Sequence, residues 1–116
     1  MNLIIGNLKM NLANDEIDQY IDYFKNKHYS NVYFAPTSIY LSKFVDNGLN
    51  TISQDVSSYE KGAYTGDVSC KQLKSIGVNY SIVGHSERRK YYDDGKFVNA
   101  KIKQLLHNDM VPILCV

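Results

Sequence analysis

Five short apolar runs, each stopped by a glycine, a proline or a polar cluster, alternate along this chain with segments of helical periodicity. That alternation constrains the fold more than any other feature. Leu3-Ile4-Ile5-Gly6, Val32-Tyr33-Phe34-Ala35, Asn50 to Val56, Val78 to Gly84 and Val111 to Val116 read as strands, being short, apolar and rich in β-branched residues. Between the first two, Ile17, Tyr20, Ile21 and Phe24 recur at i, i+3, i+4 and i+7 and form one apolar stripe. Asn14 is the expected cap of that helix, Asp15 and Glu16 suit its positive end, and Lys25, Lys27 and His28 suit its negative end. After Pro36, a second helix capped by Thr37 or Ser38 carries Ile39, Leu41, Phe44 and Val45, and Gly48 supplies its left-handed stop. Ser69-Cys70-Lys71-Gln72 is a capping box that opens a third helix, with Leu73 and Ile76 inward and Gly77 at its end. Asp93 or Asp94 starts a fourth, whose apolar face is Val98, Ile102, Leu105 and Leu106.

A β-α unit repeated in this way implies a parallel sheet covered by helices, an α/β fold. Two architectures fit. One is a complete doubly wound sheet of five strands, flavodoxin-like. The other is the first half of an eight-stranded (β/α) barrel, running from the first strand to the fifth, since a whole barrel takes roughly 250 residues. Neither a linker nor a repeat divides the chain, so residues 1–116 read as a single domain or part of one.

Both architectures place chemistry at the carboxyl ends of strands, and polar side chains collect there: Asn7 and Lys9, Gln54, then His85 and Glu87. The densest cluster is Gly84-His85-Ser86-Glu87-Arg88-Arg89, directly after Ile82-Val83. Gly84 lets the backbone turn and lets other groups come close. Ser86 is the expected cap of a short helical turn. A histidine at a helix start sits in positive potential and is suited to donating a hydrogen bond to a developing oxyanion. Taken alone, the same residues could be a solvated charge run, and Lys9 a solvated lysine.

Composition excludes several other classes. With a formal net charge of +1 and no basic stripe, nothing points to nucleic acid or an anionic membrane. No run approaches the length of a membrane span, and the first ten residues do not read as a secretory signal. Cys70 and Cys115 fit a reduced intracellular protein better than a disulfide scaffold. Cys115 reads as a buried packing thiol.

Four stretches carry a family resemblance. Asn7-Leu8-Lys9-Met10-Asn11 resembles the N-x-K-M-N signature of triose-phosphate isomerases. Tyr64-Thr65-Gly66-Asp67-Val68-Ser69 resembles the dimer loop of that family, with Asp67 where glutamate is usual. Ile82 to Arg89 matches its most distinctive run, and Pro112 to Val116 resembles its fifth strand. The order and spacing are those of the family along the whole chain.

The resemblance implies a (β/α)8 TIM barrel, of which residues 1–116 would supply about the first half. It implies a cytoplasmic glycolytic and gluconeogenic isomerase, homodimeric, without metal or cofactor, that interconverts dihydroxyacetone phosphate and glyceraldehyde 3-phosphate. By the same resemblance His85 is the neutral electrophile established for triose-phosphate isomerases. Lys9 offers positive charge to the enediolate and the phosphate, and Asn7 orients substrate or Lys9. Glu87 holds Lys9 or takes part in proton transfer. Tyr64, Thr65 and Gly66 belong to the loop that enters a partner subunit. Asn7, Lys9 and His85 are expected on one rim of the strand ring. Glu87 with Arg88, and Asn7 as a turn residue, also have purely structural readings. Gln54 reads as a scaffold or interface group.

The general base of the family is a glutamate on a later strand, and its main phosphate loops follow strands six to eight. No carboxylate among these 116 residues sits in a matching motif. The chain is therefore expected to carry the electrophilic half of the site and to be inactive alone. Two other readings are a half-barrel that assembles with a partner chain and a flavodoxin-like binding or signalling domain. Against the latter, Asn7-Leu8-Lys9 stands where receiver domains carry paired acidic residues.

Overall fold

The order of strands and helices in the computed structural model, which describes residues 2–116, follows the alternation in the sequence. Two compact units divide the chain, Met1–Gln54 and Asp55–Val116.

The first unit contains β1 (Ile4–Asn7), α1 (Asn14–Phe24), β2 (Val32–Ala35), a 3-10 turn (Ser38–Tyr40) and α2 (Leu41–Asp46). Strands β1 and β2 pair in parallel, with Ile4 opposite Val32 and Asn7 opposite Ala35. Ile17, Ile21, Phe34 and Phe44 form a buried cluster, with Tyr20, Phe24 and Leu49 packed on it. Tyr20 meets Phe34 edge to face at 5.8 Å, a favoured geometry for ring quadrupoles. Burying each large side chain contributes about 1.5–3 kcal/mol. The periodic stripe thus lies inward, as its spacing requires.

The cap of α1 differs from expectation. Ala13 holds the cap position and Asn14 is already helical. The Glu16 carboxylate accepts the Ala13 amide at 3.1 Å, while the Asn14 side chain accepts from Lys43 Nζ at 2.6 Å. Drawn to a lysine on α2, Asn14 no longer serves its own helix. Thr37 does not cap with its side chain either, donating instead to the Lys9 carbonyl. Ile39 lies exposed in the 3-10 turn, leaving Leu41 and Phe44 as the buried residues of α2.

The expected strand from Asn50 to Val56 is reduced to isolated bridge residues at Thr51 and Ser53, with Thr51 pairing in parallel to Phe34. Phe34 donates to Asn50 and accepts from Ile52, both at 2.8 Å. The next donor on that side of β2 would be residue 36, which is Pro36 and has no N–H, so the ladder stops. Thr51, Ile52, Ser53 and Val56 are nevertheless buried.

The second unit contains α3 (Cys70–Ser75), β3 (Tyr80–Val83), α4 (Ser86–Tyr91), α5 (Gly95–His107) and β4 (Val111–Leu114). The capping box of α3 is formed as read, with Ser69 Oγ accepting the Gln72 amide at 3.2 Å and Gln72 Oε1 accepting the Ser69 amide at 2.9 Å. Asp94 caps α5 by accepting from Lys96 and Phe97. Strands β3 and β4 pair in parallel from Tyr80–Val111 to Val83–Leu114. Val111 and Cys115 donate to β3, so Pro112 faces the outer edge and no ladder bond is lost.

Three apolar residues read as inward are outside: Ile76 at the end of α3, Leu106 on α5, and, in part, Cys115, which is half-buried. The buried face of α5 is Val98, Lys101 and Leu105. A lysine has taken a place in the stripe because carboxylates meet it there. Among the described residues the strands form two short parallel sheets and no closed barrel. No helix of the described residues is long and apolar enough to cross a membrane.

Candidate active site

In the first unit, the chain leaving β1 turns sharply at Lys9, whose φ of 52° lies in the left-handed region. For a residue with a Cβ this costs about 1–2 kcal/mol. Neighbouring polar groups hold it there. Asn7 Oδ1 accepts the Lys9 amide at 3.0 Å. The Lys9 carbonyl accepts from Thr37 Oγ1 at 3.0 Å and from Gln54 Nε2 at 2.9 Å. Gln54 Nε2 also donates to Ala35 O at 2.9 Å, tying the turn to the end of β2. A strained residue bonded at both its N–H and its C=O is over-determined by its surroundings, as strained functional residues are. Asn7 therefore orients the Lys9 backbone, and Gln54 is a scaffold group. Lys9 itself is exposed.

In the second unit, Gly84 ends β3 with φ 69°. A Cβ there would lie 2.6 Å from Arg89 Nη2, so the glycine serves a close approach as well as the turn. His85 follows and is itself the cap of α4; Ser86 is helical. The physical reason is that imidazole Nδ1 can accept a backbone amide as a serine oxygen does, and it takes the Glu87 N–H at 3.1 Å. The Glu87 carboxylate stands 3.6 Å from the same Nδ1, beyond hydrogen-bonding distance, so the amide governs the ring. A nitrogen that accepts carries no hydrogen. With Nδ1 accepting, Nε2 is the ring nitrogen that can donate. His85 is half-buried, which allows it to be both fixed and reachable, and Glu87 is exposed.

Arg88 pairs with Asp55, Nη2 to Oδ2 at 3.1 Å, rather than with Glu87 as its sequence neighbourhood suggested. It belongs to a partly buried cluster that sequence reasoning missed. Lys101 Nζ binds Asp55 at 2.9 and 3.2 Å and Asp93 at 2.7 Å. The available signal was a lysine three residues after Val98 and four before Leu105, inside an apolar stripe.

Tyr64, Thr65 and Gly66 lie in an exposed loop of the second unit. Tyr64 stacks on Tyr59 with centroids 3.9 Å apart. Ser57 Oγ donates to Asp67 Oδ2 at 2.7 Å, closing the loop at its base, and Gly66 turns with φ 94°. Thr65 is exposed, like its neighbours in the loop. Asn7 and Lys9 are thus brought together in one unit, and His85 and Glu87 in the other.

The family model for triosephosphate isomerase matches residues 2–116. The chain belongs to the triosephosphate isomerase family. A triosephosphate isomerase of Mycoplasmoides pirum is 39% identical, the match covering 98% of this chain and 82% of that protein. Relatives of the same name from Mycoplasmopsis pulmonis and Mesomycoplasma hyorhinis are 39% and 38% identical over 98% of this chain and 52% of theirs. The chain thus spans about half the length of these two relatives. The resemblance read from the Lys9 and His85 motifs is therefore a family membership.

Proposed function

We propose that residues 1–116 are a single partial domain, the first half of a (β/α)8 barrel, and carry the electrophilic half of a triosephosphate isomerase site. The substrate is a triose phosphate, dihydroxyacetone phosphate or D-glyceraldehyde 3-phosphate, and the reaction passes through an enediolate. The observation that carries this reading is the hydrogen bond that His85 Nδ1 accepts from the Glu87 amide, which leaves Nε2 as the ring nitrogen able to donate. A neutral donor of that kind stabilises an enediolate oxygen and can pass a proton between two neighbouring oxygens. Lys9 supplies fixed positive charge to the enediolate and the phosphate, its backbone held by Asn7 and Gln54. In a complete barrel of the family, this reading puts Asn7, Lys9 and His85 on one rim of the ring of strands. Glu87 lies beside His85 and relays protons or steadies Lys9.

Abstraction of the substrate proton falls to a carboxylate outside these residues. No metal or cofactor is needed, because the charge is met by donors already in place. Tyr64, Thr65 and Gly66 belong to an exposed loop suited to a homodimer contact, and the setting is cytoplasmic sugar-phosphate metabolism.

A coupled isomerase assay tests the reading. Residues 1–116 alone are expected to show no turnover above background. A chimera continuing from residue 116 into the remainder of the Mycoplasmopsis pulmonis relative is expected to turn over. His85→Gln should lower kcat of the chimera by about 10²–10⁴-fold. Substantial turnover by 1–116 alone, or an undiminished His85→Gln chimera, would contradict it.

A further inference from the structure

Helix α4 has six residues and none is buried. A helix so short is not stable by itself, and no apolar face docks this one. Yet it carries the amide that sets the His85 tautomer. Two arginines hold it. Arg89 donates to Gly84 O at 2.7 Å and to Cys115 O at 3.1 Å, joining α4 to the ends of β3 and β4. Arg88 reaches the other way, to Asp55 at 3.1 Å, with its guanidinium 4.3 Å over the Tyr92 ring. Asp55 in turn binds Lys101, which binds Asp93, the residue just before the cap of α5. Lys101 and Asp93 are only 4% and 7% exposed. The formal charges of the four residues cancel.

Burying such a cluster is a poor way to gain stability, since desolvation offsets most of the attraction and apolar residues would serve as well. What it supplies is fixed geometry. Lys101 sits in the middle of α5, the longest helix of the unit, between the buried Val98 and Leu105. The cluster therefore connects the least anchored helix to the best anchored one.

We propose that Arg88, Asp55, Asp93 and Lys101 form a positioning device for His85. By fixing α4 against α5, they keep the Glu87 amide on Nδ1 and the imidazole hydrogen on Nε2. The device matters for turnover through the reading of His85 given above, but its own action is on the ring. If the cluster only stabilised the unit, breaking it would leave the ring of folded molecules unchanged.

The test uses the 116-residue chain labelled uniformly with ¹⁵N, reading the His85 Nδ1 and Nε2 shifts and the exchange rate of the Glu87 amide. Asp93→Asn combined with Lys101→Met removes one charge of each sign and keeps the cluster neutral. It is expected to move His85 from one tautomer to a mixture and to speed Glu87 amide exchange about tenfold or more. Lys101→Arg, which keeps the charge, is expected to retain the single tautomer. If the double variant does not fold, Arg88→Lys takes its place, keeping the charge and losing the planar fork, with the same expected readouts. A folded variant with unchanged His85 nitrogens and unchanged Glu87 exchange would overturn the proposal. None of these readouts needs turnover, so this result and that of the chimera assay stand or fall separately.

Discussion

Lys9 accepts a left-handed backbone that glycine would adopt without cost. Lys9→Gly is therefore expected to raise stability by about 0.5–1 kcal/mol in urea unfolding, while removing the ammonium the proposed site relies on. A loss of stability instead would mean that the lysine side chain itself supports the turn. Cys70 gives a second expectation. Burial pushes its thiol from 9.0 up to about 11. Between these values the unfolded chain has lost a proton that the folded chain keeps, so this thiol makes stability fall as pH rises from about 9 to about 11. The fall in urea midpoint over that window should be shallower in Cys70→Ala; an equal fall would assign it to other groups. At this scale the sequence was legible where a residue acts through its own backbone. Gly48, Gly77 and Gly84 all have positive φ, as read. It was less legible where a distant partner decides, as when Lys43 draws off Asn14 and Asp55 captures Arg88.

Elements show the same division. The capping box of α3 needs only residues three apart, and it forms as read. Ser69→Ala should cost about 1 kcal/mol in thermal or urea unfolding, against a few tenths for Ser69→Gly. The β3–α4 corner is more exacting. Gly84→Ala adds backbone strain of about 1–2 kcal/mol and displaces Arg89 from two carbonyls. It is expected to destabilise by about 2 kcal/mol or more and to perturb the His85 resonances; a neutral effect would show that Arg89 does not fix the corner. Periodicity located α1 and α5, and it gave the buried face of α1 but not all of that of α5. Leu106 lies outward and Lys101 inward because two carboxylates from elsewhere in the unit favour that rotation of α5. Likewise, the apolar content of Asn50 to Val56 foretold burial, whereas Pro36 on the neighbouring strand decided how much of it would pair.

For the whole molecule, family membership implies a (β/α) barrel fold, of which these residues form a part. Among the described residues the four strands form two parallel pairs. Motif order made the family legible because the Lys9 and His85 motifs are local and adjoin strand ends. The joint site was not legible in the same way, since it depends on how distant segments close upon one another. The central claim is the proposal that Lys9 and His85 serve one bound triose phosphate. A crystal structure of the chimera with a bound triose phosphate tests it most directly. The account predicts Lys9 Nζ and His85 Nε2 each within about 3 Å of the ligand at the carboxyl rim of the barrel. Finding the two side chains at opposite ends of the strands, or His85 meeting the ligand through Nδ1, would contradict it.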